Sequence, residues 1–175
     1  MALRIAVANH KGGVAKSTTT MMVAEGLSLF HGMRVLAIDL DPQASLSTML
    51  LSREGADRAA DRGRSILQIL DRLAAGDAVS VSNLLSQNAS DLIELRDAPD
   101  QRRVDLLASS RSLLANITDI QDRLRATLDR RLDVALAAVL IHGLDRITKS
   151  YDVILFDCPA GTGPSHLLPF AWRNS

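Results

Sequence analysis

A short apolar run, Leu3-Arg4-Ile5-Ala6-Val7-Ala8, ends in a glycine loop that passes directly into a segment with helical periodicity. No other feature constrains the fold as much. Such a run reads as a buried parallel strand feeding a loop, ending near Asn9. From Ser17 to about Phe30 the apolar positions Met21, Met22, Ala24, Leu27 and Phe30 suit a helix buried on one side, and Gly32 stands where a C-terminal cap belongs. Arg34-Val35-Leu36-Ala37-Ile38-Asp39 then reads as a second buried strand with an acidic end. Strand, loop, helix and strand make a βαβ unit, so the expected fold is α/β, with a mostly parallel sheet flanked by helices and a right-handed crossover.

Further along, the Gly, Ala, Asp and Arg of residues 52–64 read as a solvated connection of low order. Ile66, Leu67, Ile69, Leu70 and Leu73 recur at helical spacing, and Val104 to Ala108 reads as a strand. The stretch 76–101 is ambiguous. Leucines 124, 128, 132, 136 and 140, with Ala135, Val139, Leu144 and Ile147, describe one long amphipathic helix from Gln121 to Lys149, its wet face carrying arginines 123, 125, 130 and 131. Tyr151 to Phe156 is the last clear strand, again followed by an acid, Asp157. With 175 residues and 47% hydrophobic content, one domain over 1–175 is expected.

Lys plus Arg equals Asp plus Glu at 20 each, so no whole-chain field draws the protein to nucleic acid or an anionic membrane. A single cysteine, Cys158, excludes an internal disulfide framework and a four-cysteine metal site, and fits a reducing compartment. The apolar start is too short for a signal h-region or a membrane span, so a cytoplasmic location is expected.

The chemistry concentrates in His10-Lys11-Gly12-Gly13-Val14-Ala15-Lys16-Ser17-Thr18, between the first strand and the first helix. Backbone N–H groups at a helix N-terminus can surround a triphosphate only where side chains stay clear, a condition that Gly12 and Gly13 meet. Lys16 would add positive charge beside the β- and γ-oxygens, and the Ser17 hydroxyl would enter a Mg²⁺ shell. Against the pattern G-x-x-x-x-G-K-[ST], His10 replaces the first glycine and Ala15 the second. Ala15 is tolerable at negative φ and harmful at positive φ, where its Cβ is crowded. Asp39 and Asp41, in Asp39-Leu40-Asp41-Pro42-Gln43, and Asp157 end their strands on the edge where parallel sheets bind ligands. For Asp39 and Asp41 the competing role is capping the helix that starts near Ala44. Cys158 reads as a small buried side chain, His31, His142 and His166 lack ligand spacing, and Trp172 carries no clear role.

Lys11 to Thr18 resembles the deviant phosphate loop of the ParA/MinD ATPases, K-G-G-V-G-K-[ST]-T, departing from it only at Ala15. Tyr151-Asp152-Val153-Ile154-Leu155-Phe156-Asp157-Cys158-Pro159 resembles the Walker B segment Y-D-x-I-x-x-D-x-P of the same family. Pro42-Gln43 after Asp41 favours the ParA side over MinD-like membrane-associated relatives, and one cysteine cannot supply the cluster of the nitrogenase iron proteins.

The resemblance implies a P-loop NTPase using ATP and Mg²⁺, with residues 11–18 on the nucleotide. It implies Lys16 and Lys11 as catalytic cations, Lys11 reaching the partner's nucleotide across an ATP-dependent homodimer. Asp41 would orient the attacking water and join Ser17 and Asp157 at the metal, and Pro159 would fix the chain leaving the strand. A ParB-like stimulating protein and nonspecific DNA are the implied partners of intact members, with no membrane. Family members continue well beyond Walker B, so later strands and the DNA surface are expected to be missing here, by truncation or frameshift. A chain of this kind would expose an edge and could be a non-hydrolytic remnant.

Overall fold

The computed structural model describes residues 2–9, 11, 13–96, 103–128, 139–140 and 143–160. Four strands, β1 (Leu3–Val7), β2 (Arg34–Asp39), β3 (Arg103–Leu107) and β4 (Val153–Asp157), form one parallel sheet in the order β1-β4-β2-β3. β4, last in the chain, lies between β1 and β2. Its register sets Asp157 beside Val7 on one side and Asp39 on the other, so three strand ends line up along one edge.

Alternation along β2, β3 and β4 sends side chains to two cores, as the period of two requires. Leu36, Ile38, Leu107, Ile154 and Phe156 face α3 (Ile66–Ala74) and α5 (Ser112–Leu128), meeting Ile66, Ile69, Leu70, Ile120 and Leu124. Val35, Ala37, Val104, Leu106, Val153 and Leu155 face α1 (Lys16–His31) and α2 (Ser45–Asp61), meeting Ala24, Leu46 and Leu50, together with Leu95 of the short α4 (Ile93–Arg96). Each fully buried Leu or Ile contributes about 1.5–3 kcal/mol of transfer free energy.

At the amino edge of the sheet, Tyr151 and Asp152 fix where β4 starts. The Tyr151 phenol donates to Asp105 Oδ2 of β3 at 2.6 Å, and Asp152 accepts from the Arg34 backbone N–H at 2.9 Å and from its guanidinium at 3.0 and 3.2 Å. Arg103 shares the same Asp105 oxygen at 3.0 Å and stacks over the Tyr151 ring. These bonds tie β4 to both strands that follow it in the sheet order.

Four sequence expectations are corrected. β1 is not buried: among the described strands it pairs only with β4, and Leu3 and Ile5 are 60% and 36% exposed. α1 packs through Thr20, Ala24 and Ser28, one residue per turn and small enough for close approach to the sheet, so Met22 and Phe30 stay 64% and 78% exposed. Residues 52–61, expected to be a solvated connection, are the second half of α2. There Ser52 breaks the helix at φ 63, ψ 168 and recaps it by accepting from the Gly55 N–H at 3.2 Å, while Ala56 and Ala59 are buried. The long helix begins at Ser112 rather than Gln121 and is described as far as Leu128, and the described residues 139–140 and 143–147 are helical too. Arginines 130 and 131 lie outside the described residues.

Elsewhere sequence and structure agree: α3 spans the Ile66 to Leu73 pattern, β3 covers Val104 to Leu107, and Gly32 ends α1 at φ 65, its N–H bonded to Ser28 O at 3.1 Å. The ambiguous stretch contains a 3₁₀ turn at Val81–Leu84 and a bridge from Ser86 to Leu106.

Candidate functional site

The predicted residues that the structure describes stand along the carboxyl edge of the sheet. α1 starts at Lys16 immediately after the loop from β1, and Ala15, its N-cap, makes no side-chain cap. Helix geometry leaves the amides of Lys16, Ser17 and Thr18 without intrahelical partners, and no acidic residue occupies the first turn. Positive potential is therefore left open at this terminus. Gly13 turns the loop at φ 73, a conformation that would strain any side chain although nothing lies within 4 Å of the Cβ position. Val14 is exposed, and so is Lys11, whose backbone N–H donates to Asn9 Oδ1 at 3.2 Å. His10 and Gly12 lie outside the described residues.

Ala15 adopts φ 59, ψ 28, the unfavourable branch of the sequence expectation. Ala44, the N-cap of α2, adopts φ 55, ψ 35. Both helices that point at this edge thus begin at an alanine held in left-handed backbone, a form that costs an L-residue about 1–2 kcal/mol.

Asp157 is fully buried at the end of β4, and its Oδ1 accepts from the Thr20 hydroxyl at 3.2 Å. Its Oδ2 is buried without a hydrogen-bond partner. Burial raises the pKa of this carboxyl, and the nearby Asp41 charge adds to that. The Ser17 and Thr20 side chains and the Lys16 ammonium act in the opposite direction. Ser17, Asp41 and Lys16 thus each lie within electrostatic reach of Asp157, while Thr18 sits half-buried on the same first turn as Lys16 and Ser17.

Asp39 has a different environment. Its Oδ2 accepts both the backbone N–H of Ser47 at 2.8 Å and the Ser47 hydroxyl at 2.7 Å, and its Oδ1 accepts the Asp41 N–H at 3.1 Å. The capping role weighed from sequence is what Asp39 performs, on the first turn of α2. Burial pushes its pKa up to about 7 against the pull of the Ser47 bonds, with the Asp157 charge adding to the rise. Asp41 is half-buried, and its side chain accepts the Gln43 N–H at 2.9 Å.

Ser47 and Thr20, which sequence reading did not single out, are the polar side chains that hold these acids; a hydroxyl one turn into each helix was the only available signal. Cys158 is buried, and burial pushes its thiol up to about 11, which suits a packing role. Among the described residues no group of three His, Cys, Asp or Glu could hold a metal unaided, and no helix is long and apolar enough to cross a membrane.

A parallel sheet with helices on both faces, the first strand opening through a glycine loop onto an uncapped helix, defines the α/β P-loop NTPase class, and solved structures of that class share the fold. A sequence profile for an AAA domain matches residues 2–165. The chain belongs to that family and, with it, to the ParA/MinD ATPases. It is 28% identical over 159 residues to the sporulation initiation inhibitor protein Soj of Bacillus subtilis (strain 168), covering 91% of this chain and 50% of Soj. Cobyrinic acid a,c-diamide synthase of Mycobacterium smegmatis, with bound ATP analogue and magnesium, superposes with a TM-score of 0.63 at 29% identity, over 97% of this chain and 54% of that one. The pNOB8 ParA bound to nonspecific DNA gives the same TM-score of 0.63 at 22% identity, over 97% and 50%, a likeness of fold. The chain spans about half the length of each of these proteins.

Proposed function

We propose that this chain binds Mg-ATP at the N-terminus of α1 and works in a ParA-like partition ATPase, where ATP joins two copies face to face and hydrolysis separates them. The observation that carries this reading is the pairing of an uncapped helix start, with Lys16 on it, with a buried carboxylate oxygen of Asp157 that has no hydrogen-bond partner. A buried, unpaired carboxylate oxygen is expensive unless a cation or a bound water meets it. Magnesium usually takes one or two carboxylates and completes its shell with water and phosphate oxygens, which suits the buried Asp157 carboxylate.

Ser17 and Asp157 would hold the ion, with Asp41 beside them. Bound there, magnesium would neutralise charge developing on the phosphoryl oxygens. Amides 16–18 and Lys16 bind and orient the phosphates, Asp41 orients the attacking water, and Lys11, exposed on the loop, reaches the partner copy's nucleotide. A ParB-like stimulator and nonspecific DNA are the partners that this reading takes from intact family members.

Light scattering with Mg-ATP and with Mg-ADP tests it. The expected result is a dimer with Mg-ATP alone, lost in Lys11→Ala while ATP still binds; a monomer under all conditions refutes the switch. A second reading, ATP binding without turnover, is favoured by one observation, the positive φ of Ala15. Turnover measured beside binding separates the two.

A further inference from the structure

We propose that Ser47 is a positioning residue that acts through Asp39 to hold the backbone of Asp41 in place. The inference rests on the reading of this edge as an ATP site and deepens it. Asp41 lies two residues beyond β2, on the connection to α2, so its side chain can orient a water only if that connection is fixed. Its backbone N–H is held by Asp39 Oδ1 at 3.1 Å, and the other oxygen of the same carboxylate is held by Ser47.

Capping α2 requires only the Ser47 N–H, which Asp39 already accepts at 2.8 Å. The Ser47 hydroxyl does something more. It donates to Asp39 at 2.7 Å and accepts the Ser109 N–H at 2.9 Å, just beyond the end of β3. Both hydrogen-bonding functions are used in joining β3, α2 and the end of β2. Ser47, Asp39 and Ser109 are all fully buried, so solvent cannot readily replace the hydroxyl if it is removed. Misplacement of a reacting group by about 1 Å costs on the order of 10²-fold in rate, which gives a remote hydroxyl leverage over turnover.

The test uses the full chain with Ser47→Cys, which keeps the volume but offers only a weak donor, Ser47→Ala, and Ser47→Thr, which keeps the hydroxyl. Turnover of Mg-ATP and affinity for ADP are measured for each. Ser47→Cys and Ser47→Ala are expected to lower kcat about 10- to 100-fold with ADP affinity within about twofold, and Ser47→Thr to return kcat to within about threefold. Unchanged kcat, a parallel loss of ADP affinity, or a Ser47→Cys chain that does not fold overturns the proposal.

Lys16→Ala, assayed alongside, tests the site itself. Lost ATP affinity in that variant with unchanged turnover in Ser47→Cys refutes the positioning role alone. If the unaltered chain shows no turnover, the hydrolytic reading has failed and amide hydrogen exchange decides the rest. Ser47→Cys must then speed exchange at Asp41, Gln43 and Ala44 while leaving β2 and β4 unchanged, and equal exchange at those three amides overturns the proposal.

Discussion

Replacing Ala15 by glycine removes a Cβ from backbone held at φ 59, ψ 28. Left-handed backbone costs a residue with a Cβ about 1–2 kcal/mol, and relief of that strain is the gain. Glycine also loses more backbone freedom on folding, an opposing loss of about 0.5–1 kcal/mol. Ala15 is exposed, so the lost methyl removes little packing. The net expectation is stabilisation by about 0.5–1 kcal/mol, equivalent to about 1–4 °C in Tm for a chain of this size. Urea denaturation read by circular dichroism, with calorimetry beside it, measures the change. Ala24→Gly, in the buried middle of α1, is the control and must destabilise. Destabilisation of Ala15→Gly by about 0.5 kcal/mol or more, the behaviour of an ordinary helical alanine, would refute a positive φ at this position.

Asp39 gives a pH prediction. Burial pushes its carboxyl up to about 7 in the fold from an ordinary 3.8, so the folded state binds the proton more tightly. That contribution is fully present below pH 4 and is lost as pH rises through 7, with stability falling by a few kcal/mol at most, a slope that Asp39→Asn should remove when denaturation midpoints are compared at pH 5 and pH 7.5. Tyr151→Phe deletes the 2.6 Å bond to Asp105 and should lower stability by about 1.5–3 kcal/mol in urea melts. Gly143→Ala drives a Cβ into Val81 and should destabilise by about 1–3 kcal/mol unless Val81 changes rotamer.

The residues of the candidate site each belong to a local pattern that can be read in the sequence: a glycine loop between strand and helix, or an acid closing an apolar run. Parallel strands then had to bring Lys16, Asp41 and Asp157 to one edge, whatever their order in the sheet. The insertion of β4 between β1 and β2 was not legible, since it depends on pairings between distant residues such as Asp39 with Asp157. The bonds that support the site are long-range too: Ser109 meets Ser47 across 62 positions and Tyr151 meets Asp105 across 46. Serines and tyrosines carry no periodic signal of such partners. Residues 52–61 were misread because their mixed charges and a glycine resemble a loop, whereas Ala56 and Ala59 bury one side and Ser52 recaps the helix locally. The φ of Ala15 could be stated from sequence only as a condition, because backbone sign at a non-glycine residue is set by the surrounding fold.

Binding of ATP in the presence and absence of magnesium, by the unaltered chain and by Lys16→Ala, tests the central claim directly by calorimetric titration. The account predicts saturable binding that weakens at least tenfold, about 1.4 kcal/mol, when magnesium is chelated, and is lost in Lys16→Ala. Equal affinity in the two proteins, or none in either, would contradict it.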